Sequence, residues 1–562
     1  MWSLVYGYEC IENQCVKFEL NEENLKRALS LSVCYMLCSD TIGTLWPKPN
    51  GNVTYDSYLF HIDLSKIIFN SSANPALHAR LWEVNEERFA KRLQNKLPNN
   101  EIKSNGGYPL KIRIDIDDNE VKEIPKLTLN SNESYNLNVT KGDNSIMADI
   151  RAENFFGIRH GLETLSQLIV YDDIKHELQI LANVSLSDKP AFKWRGLMLD
   201  TARHFYSVKS IKRTLARPEL HRLGAYSQRK VYTHQDIIQI VEYGRQRGIR
   251  VMPEFDVPAH VGEGWQSKNI TTACFKATPW SNYCASPPCG QLDPTINDTY
   301  SILQDIYQEM FNLFDPDVFH MGGDEVFLRC WKDKRSINDW MTGSNWRLHD
   351  SDFMDLWGYF QMKAMRTVDT VAKHKQVPII LWTSHLTNPA HISKYLNKDR
   401  YIIQIWTKHS DPQVLGILKR GFRIIVSNND ALYLDCGGSD WLQATNNGCS
   451  PYIIWQRVYD NRMENIAETY VSKVLGAEAA VWSEQIDEQN LDQRVWPRAS
   501  ALAERLWSNP SDNWQKALDR MRLHRENLVE NGIAAEPIQP EWCLQNPKNC
   551  VMSSRFGINY NF

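Results

Sequence analysis

The hydrophobic pattern changes period once along the chain. Up to about residue 190, "KIRIDID" (111–117) and "YNLNVT" (135–140) alternate apolar and polar residues in period two, as half-buried strands do, and "HGLETLSQLIV" (160–170) carries its apolar residues at helical spacing. This mixture predicts a small α+β domain over residues 1–190. Beyond "LSDKPAFKWRG" the chain turns to short apolar runs separated by longer amphipathic segments, the pattern of parallel strands joined by crossover helices. The runs are "GLMLD" (196–200), "IRVMPEFD" (249–256), "DVFHMGGDE" (317–325), "VPIILW" (377–382), "YIIQIW" (401–406), "FRIIVSN" (422–428) and "VLGAEAAVW" (474–482). Each ends in a polar or aromatic cluster, which is where a (β/α)8 barrel carries its chemistry. The expected fold is α/β: a (β/α)8 barrel over residues 191–562, closed by the amphipathic helix "NWQKALDRMRLHRENLVENGI" and a cysteine-tied C-terminus, behind the α+β domain.

The runs number seven, and such a barrel needs eight. Between Asp200 and Ile249 the helix start "SVKSIKRTL" breaks off at "ARPEL", and no apolar run of four or more follows before "HQDIIQIVEYGRQRG". About six or seven helical residues cannot cross back over a barrel whose strand-plus-helix unit is about 30 residues long. The second strand is expected to be missing around Leu215 to Arg217.

Composition narrows the class. Net charge is −4 and basic residues are interspersed with acids, so the basic face of a nucleic-acid binder is lacking and no polyanionic partner is expected. Twelve cysteines, several at short spacings (Cys10 and Cys15, Cys34 and Cys38, Cys284 and Cys289, Cys436 and Cys449, Cys543 and Cys550), include no tight CxxC pair, which favours disulfides over zinc without giving their connectivity. Asn-x-Ser/Thr sequons at Asn52, Asn70, Asn132, Asn138, Asn183, Asn269 and Asn297 join them in pointing to the secretory pathway. The start "MWSLVYGYEC" lacks the features of a signal peptide, which suggests a truncated start. "ALSLSVCYMLC", closed by Asp40, reads as a disulfide-tied helix, and no stretch is long enough to span a bilayer.

The chemistry concentrates in "HMGGDEVFLRCW" (320–331), where Asp324 and Glu325 stand side by side behind Gly322-Gly323. At a strand end the backbone leaves the sheet, so adjacent carboxylates can diverge and reach one bound molecule from two directions, with pKa values separated by their surroundings. Trp331, Trp382, Trp406, Trp441, Trp482 and Tyr433 fall at or after strand ends, and aromatic faces there suit pyranose rings. Acids with aromatics at a barrel mouth suggest a glycoside hydrolase.

Together with "RGLMLDTARHFYSVKSIKRTL", "GIRVMPEFDVPAHVGEGW" and "AEAAVWSEQID", that stretch resembles the β-N-acetylhexosaminidases of glycoside hydrolase family 20, arthropod members above all, over most of the chain. The resemblance implies an exo-acting enzyme that releases terminal N-acetylglucosamine or N-acetylgalactosamine by substrate-assisted retention, an exception to the two-carboxylate scheme. It implies no metal or organic cofactor, a homodimer, and an extracellular or lysosomal location. By resemblance Glu325 is the general acid/base, Asp324 orients the 2-acetamido group, and His260 supports the acid. Arg203 and Glu484 hold sugar hydroxyls, Trp382, Trp406 and Trp482 wall the acetamide pocket, Tyr433 donates to the acetamide carbonyl, Asp435 contacts a hydroxyl and Trp441 lines the site.

The chain departs from the family's pattern in two places. After "SIKRTL" the family continues into a second strand ending in a His-x-x-Asp type motif, whose Asp partners the histidine; that segment is absent, so the relay through His260 is expected to be incomplete. A clean in-frame omission with intact flanks has the form of a skipped exon or a faulty gene model. The rival to the enzyme reading is a catalytically impaired or non-catalytic amino-sugar-binding variant. In "NNGCSPY", Gly448 stands where chitooligosaccharide-specialised members carry Trp, which favours broad exo-hydrolysis.

Overall fold

The computed structural model describes residues 6–39, 41–71, 75–98, 106–117, 125–214, 227, 229–265, 271–546 and 549–550. Contacts gather the chain into two compact units: Met1–Lys126, Ser131–Ala191 and Asp492–Phe562 in one, Leu127–Asn130 and Phe192–Leu491 in the other. The helices after Asp492 thus group with the N-terminal residues, where the sequence had set them with the barrel. Buried polar anchors account for this: Trp46 Nε1 donates to the Ser500 carbonyl at 3.0 Å, the Lys48 N–H and Arg520 donate to the fully buried Glu504, and Trp507 Nε1 donates to Asp188 at 2.8 Å.

The first unit opens with a hairpin, β1 (Tyr6–Ile11) and β2 (Gln14–Glu19), which two disulfides, Cys10–Cys38 and Cys15–Cys34, tie to helix α1 (Leu31–Leu37). Its eight-stranded sheet runs β3-β10-β6-β7-β5-β4-β9-β8, built from β3 (Val53–Tyr55), β4 (Leu59–Ser71), β5 (Tyr108–Ile116), β6 (Tyr135–Lys141), β7 (Ile146–Ala152), β8 (Ile169–Asp172), β9 (Glu177–Leu181) and β10 (Val184–Asp188). Period two is kept: Leu110, Ile112 and Ile114 are buried while Arg113 and Asp115 face water. Helices α2 (Pro75–Asn95) and α3 (Phe155–Gln167) lie on the sheet. A Cβ on Gly161 of α3 would come within 2.5 Å of Ile150, so that glycine lets helix and sheet approach. The helix stops at Gln167, three residues short of the expected run, because Ile169 begins β8.

In the second unit six parallel strands run β11-β18-β17-β16-β15-β14. They are β11 (Trp194–Leu199), β14 (Phe319–His320), β15 (Ile379–Trp382), β16 (Tyr401–Ile405), β17 (Arg423–Val426) and β18 (Val474–Val481), with a short separate hairpin of β12 (Thr272–Ala273) and β13 (Gln291–Leu292). First strand beside last is the closure of a barrel. The seventh run, 249–256, joins by a parallel bridge between Glu254 and His320 and by the Phe255 and Val257 N–H groups, which donate to the His320 and Met321 carbonyls at 3.1 Å. Helices α4 (Val208–Thr214), α5 (His234–Arg245) and α6 (Asn297–Phe314) precede β14, α5 starting from a capping box of Thr233 and Asp236. Trp194, Val318, Ile380, Ile402 and Ile425 pack as the barrel's apolar core. Among the described residues β11 pairs with β18 alone, and the 249–256 segment pairs with β14 alone. Leu215–Arg217, the expected position of the missing strand, lies outside the described residues.

Candidate active site

The predicted residues stand at the C-terminal ends of the parallel strands: Arg203 after β11, His260 after the bridged segment, Asp324 and Glu325 after β14, Trp382 ending β15, Trp406 after β16, Tyr433 and Asp435 after β17, Trp482 and Glu484 after β18. Gly322 (φ +63°) and Gly323 (φ +89°) carry the backbone out of β14; a Cβ on Gly322 would fall 1.9 Å from the Asp256 carboxylate. Glu325 itself takes a positive φ of 49°, a strained setting for a non-glycine residue.

Three carboxylates surround His260. Its Nδ1 shares a hydrogen with Asp256 Oδ2 at 2.5 Å, its Nε2 lies 3.2 Å from Glu325 Oε2, and Asp324 Oδ1 lies 3.9 Å from Nδ1. The Gly323 N–H donates to the other oxygen of Asp256 at 2.8 Å. The relay expected to be incomplete therefore has a partner, supplied by the bridged segment. Sequence reasoning quoted Asp256 without giving it a role; its i,i+4 spacing from His260 was the available signal.

Electrostatics separates the acids. Burial alone would lower the His260 pKa, but the charge and hydrogen bond of Asp256 hold it well above its ordinary value, and in turn His260 keeps Asp256 below the usual carboxylate range against the pull of burial. Asp324 moves the other way: burial, then the charges of Asp256, Glu325 and Glu254, push it well above 3.8. Its Oδ1 is buried and has no hydrogen-bond partner among the described residues.

The aromatic side is organised round Trp482, whose ring lies 6.0 Å from Trp382, 6.2 Å from Tyr433 and 5.2 Å from the Arg203 guanidinium, while the residue's backbone N–H donates to Asp435 Oδ1 at 3.3 Å. Trp382 Nε1 donates to Glu254 at 2.9 Å and Trp406 Nε1 to the Thr383 carbonyl at 2.7 Å, so both indoles are fixed from behind. Arg203 sits 3.3 Å from Asp200 and 3.9 Å from Glu484. Burial, then the charges of Asp324, Asp435 and Glu325, raises the Tyr433 pKa well above 10. Trp441 stands apart, 48% exposed on the loop closed by Cys436–Cys449. Glu254 and Asp200 are the other positioning groups the sequence did not single out.

The family description "glycosyl hydrolase family 20, catalytic domain" matches residues 192–217 and 215–510, in two pieces that meet at Leu215–Arg217, where the sequence reading expected a strand to be missing, and "beta-acetyl hexosaminidase like" matches 45–168. The chain is 46% identical to a chitooligosaccharidolytic β-N-acetylglucosaminidase of Ostrinia furnacalis, over 97% of this chain and 96% of the relative. A protein of the same description from Bombyx mori is 44% identical, over 97% and 95%. The human β-hexosaminidase subunit β is 31% identical, over 74% of each chain. Among solved structures, a Flavobacterium johnsoniae chitobiase superposes with a TM-score of 0.66 at 26% identity, covering 87% of this chain and 73% of that one. A Vibrio harveyi exo-β-N-acetylglucosaminidase (TM-score 0.67, 19% identity, 94% and 84% covered) shares the fold.

Proposed function

The chain belongs to glycosyl hydrolase family 20 and is a β-N-acetylhexosaminidase, and from that premise we propose that it removes terminal non-reducing N-acetylhexosamine by a substrate-assisted retaining mechanism with Glu325 as acid/base. The observation that carries the reading is Asp324: a buried carboxylate oxygen without a donor among the described residues, after the strand paired to the one that ends in Trp382, is the acceptor an acetamide N–H would satisfy. With that N–H held, the acetamide oxygen attacks the anomeric carbon as the glycosidic bond breaks, and Glu325 gives its proton to the leaving oxygen. Tyr433 donates to the acetamide oxygen as it attacks. Water then opens the oxazolinium ring and returns its proton to Glu325, with configuration retained. Arg203 and Glu484 hold hydroxyls on the far side of the ring.

The rival reading of a non-catalytic binder finds no support in the relatives, and His260 keeps a carboxylate partner. A Cβ on Gly448 would meet nothing within 4 Å, so the loop has no stacking wall there, which supports broad exo-hydrolysis over a preference for long chitin oligomers. Six disulfides among the described residues support work in the secretory pathway. No helix of the described residues is long and apolar enough to cross a membrane. The testing experiment is release of the aryl group from a chromogenic β-N-acetylglucosaminide. The chain should turn it over, and Glu325→Gln should lower the rate by about 10²–10⁴. A folded chain whose rate does not change on that substitution contradicts the assignment.

A further inference from the structure

The register of the first unit's sheet brings four of the seven sequons to one line. Cross-strand partners run Asn70 (β4), Arg113 (β5), Asp149 (β7), Asn138 (β6), Ser185 (β10) and Thr54 (β3), a single row across six strands. Asn70 and Asn138 are themselves sequon asparagines; Ser185 and Thr54 are the hydroxyl residues that complete the sequons of Asn183 and Asn52. In extended backbone, residues i and i+2 share a face, so a strand that turns one member of a sequon to water turns both. On β6, Asn138 and Thr140 are exposed with Val139 buried between them; Asn52 and Asn183, the latter at φ +57°, stand just before β3 and β10 and are exposed together with Thr54 and Ser185. The opposite face is taken by the sheet's apolar side chains.

Local bonding leaves the modifiable atom accessible. Ser185 Oγ donates to Asn138 Oδ1 at 2.7 Å, so the Asn138 side chain is held by its oxygen, with its amide nitrogen uncommitted among the described residues. Asn183 Nδ2 donates to the exposed Asp56 at 3.1 Å. The Arg113–Asp149 pair, 2.7 Å apart, occupies the middle of the row. Strands about 4.8 Å apart put Asn70 and Asn138 about 14 Å from each other, room for separate chains of sugar.

We propose that this row is an N-glycan-bearing surface, with Asn52, Asn70, Asn138 and Asn183 as its attachment sites. The inference rests on the secretory reading and is independent of the catalytic one. Transfer joins the amide nitrogen to the anomeric carbon of a lipid-linked oligosaccharide; the lipid diphosphate leaves and the amide gives up a proton. The test is the full chain expressed behind a cleavable secretory leader in insect cells, then deglycosylated enzymatically in ¹⁸O-water, which turns each glycosylated Asn into labelled Asp readable by peptide mass spectrometry. Label is expected at all four positions in more than half of the molecules. Thr140→Ala, which keeps Asn138 and its bond to Ser185, should lose the Asn138 label while aryl-glucosaminidase activity stays within twofold, and Thr140→Ser should keep it. Label under one tenth at Asn138 and Asn183 in a chain with its leader removed overturns the row. A leader still attached overturns the secretory premise and the proposal with it.

Discussion

Asp256 stands beside His260, where the sequence reading expected no partner. Its two oxygens face the His260 ring and the Gly323 N–H, so it orients the imidazole that touches Glu325. Asp256→Asn should lower kcat/KM by roughly 10–100-fold, the cost of losing a partner that orients a catalytic group. Because Asp256 raises the His260 pKa, the same substitution should move the alkaline limb of the pH profile to lower pH; a purely structural loss would lower the rate at every pH without moving the limb. Stability follows the same proton. The folded His260 holds it above the ordinary 6.5, so its contribution is complete below pH 6.5 and is lost as pH rises through the folded value; Asp324, raised above 3.8, adds to the loss with the same sign. The thermal midpoint should therefore fall on the alkaline side, and in Asp256→Asn the fall should begin at lower pH. Tyr433→Phe, read by kcat on the aryl substrate, should cost about 10²–10³ if its hydroxyl meets the developing charge.

Motifs that are contiguous in sequence were legible at this scale: the acid pair, the Arg203 stretch and the Trp482–Glu484 stretch could each be placed at a strand end. Glu254 was not, because it acts through the Trp382 indole 128 residues away; Asp200 stands only three residues before Arg203, and that spacing was the signal passed over.

At the scale of elements, apolar runs located strands better than they measured them. The run 317–325 yields only the two residues of β14 before the glycines turn away, and 249–256 makes a bridge without a ladder. Both shorten because their ends serve the site: Asp256 and Asp324 need backbone that has left the sheet. The Cys436–Cys449 loop is an element with spare capacity, exposing Trp441 at 48% and leaving open space at Gly448. Gly448→Trp should raise kcat/KM on chitooligosaccharides relative to the aryl monosaccharide by about fivefold, since an aromatic stack is worth about 1 kcal/mol. An unchanged ratio would remove this loop from the leaving-group side of the site.

At the scale of the molecule, the grouping of the C-terminal helices was beyond the sequence, because amphipathic spacing says that a face is buried and not against what. The row of sequons also bears on assembly. If a homodimer forms, as the resemblance implies, the glycan-bearing face should lie outside its interface, and light scattering should give the same oligomeric state before and after deglycosylation.

The strand order of the barrel also dictates an order of construction. From β14 to β18 each strand lies beside its successor in the chain, so these pairings close short loops. β11 alone must travel: the Trp194 indole meets Glu478 across 284 residues of sequence, and entropy charges most for that closure. Held among the described residues from one side, by β18, β11 should be the last strand to dock and the first to let go, so in native-state hydrogen exchange its amides should open at lower free energy than those of β15, β16 and β17.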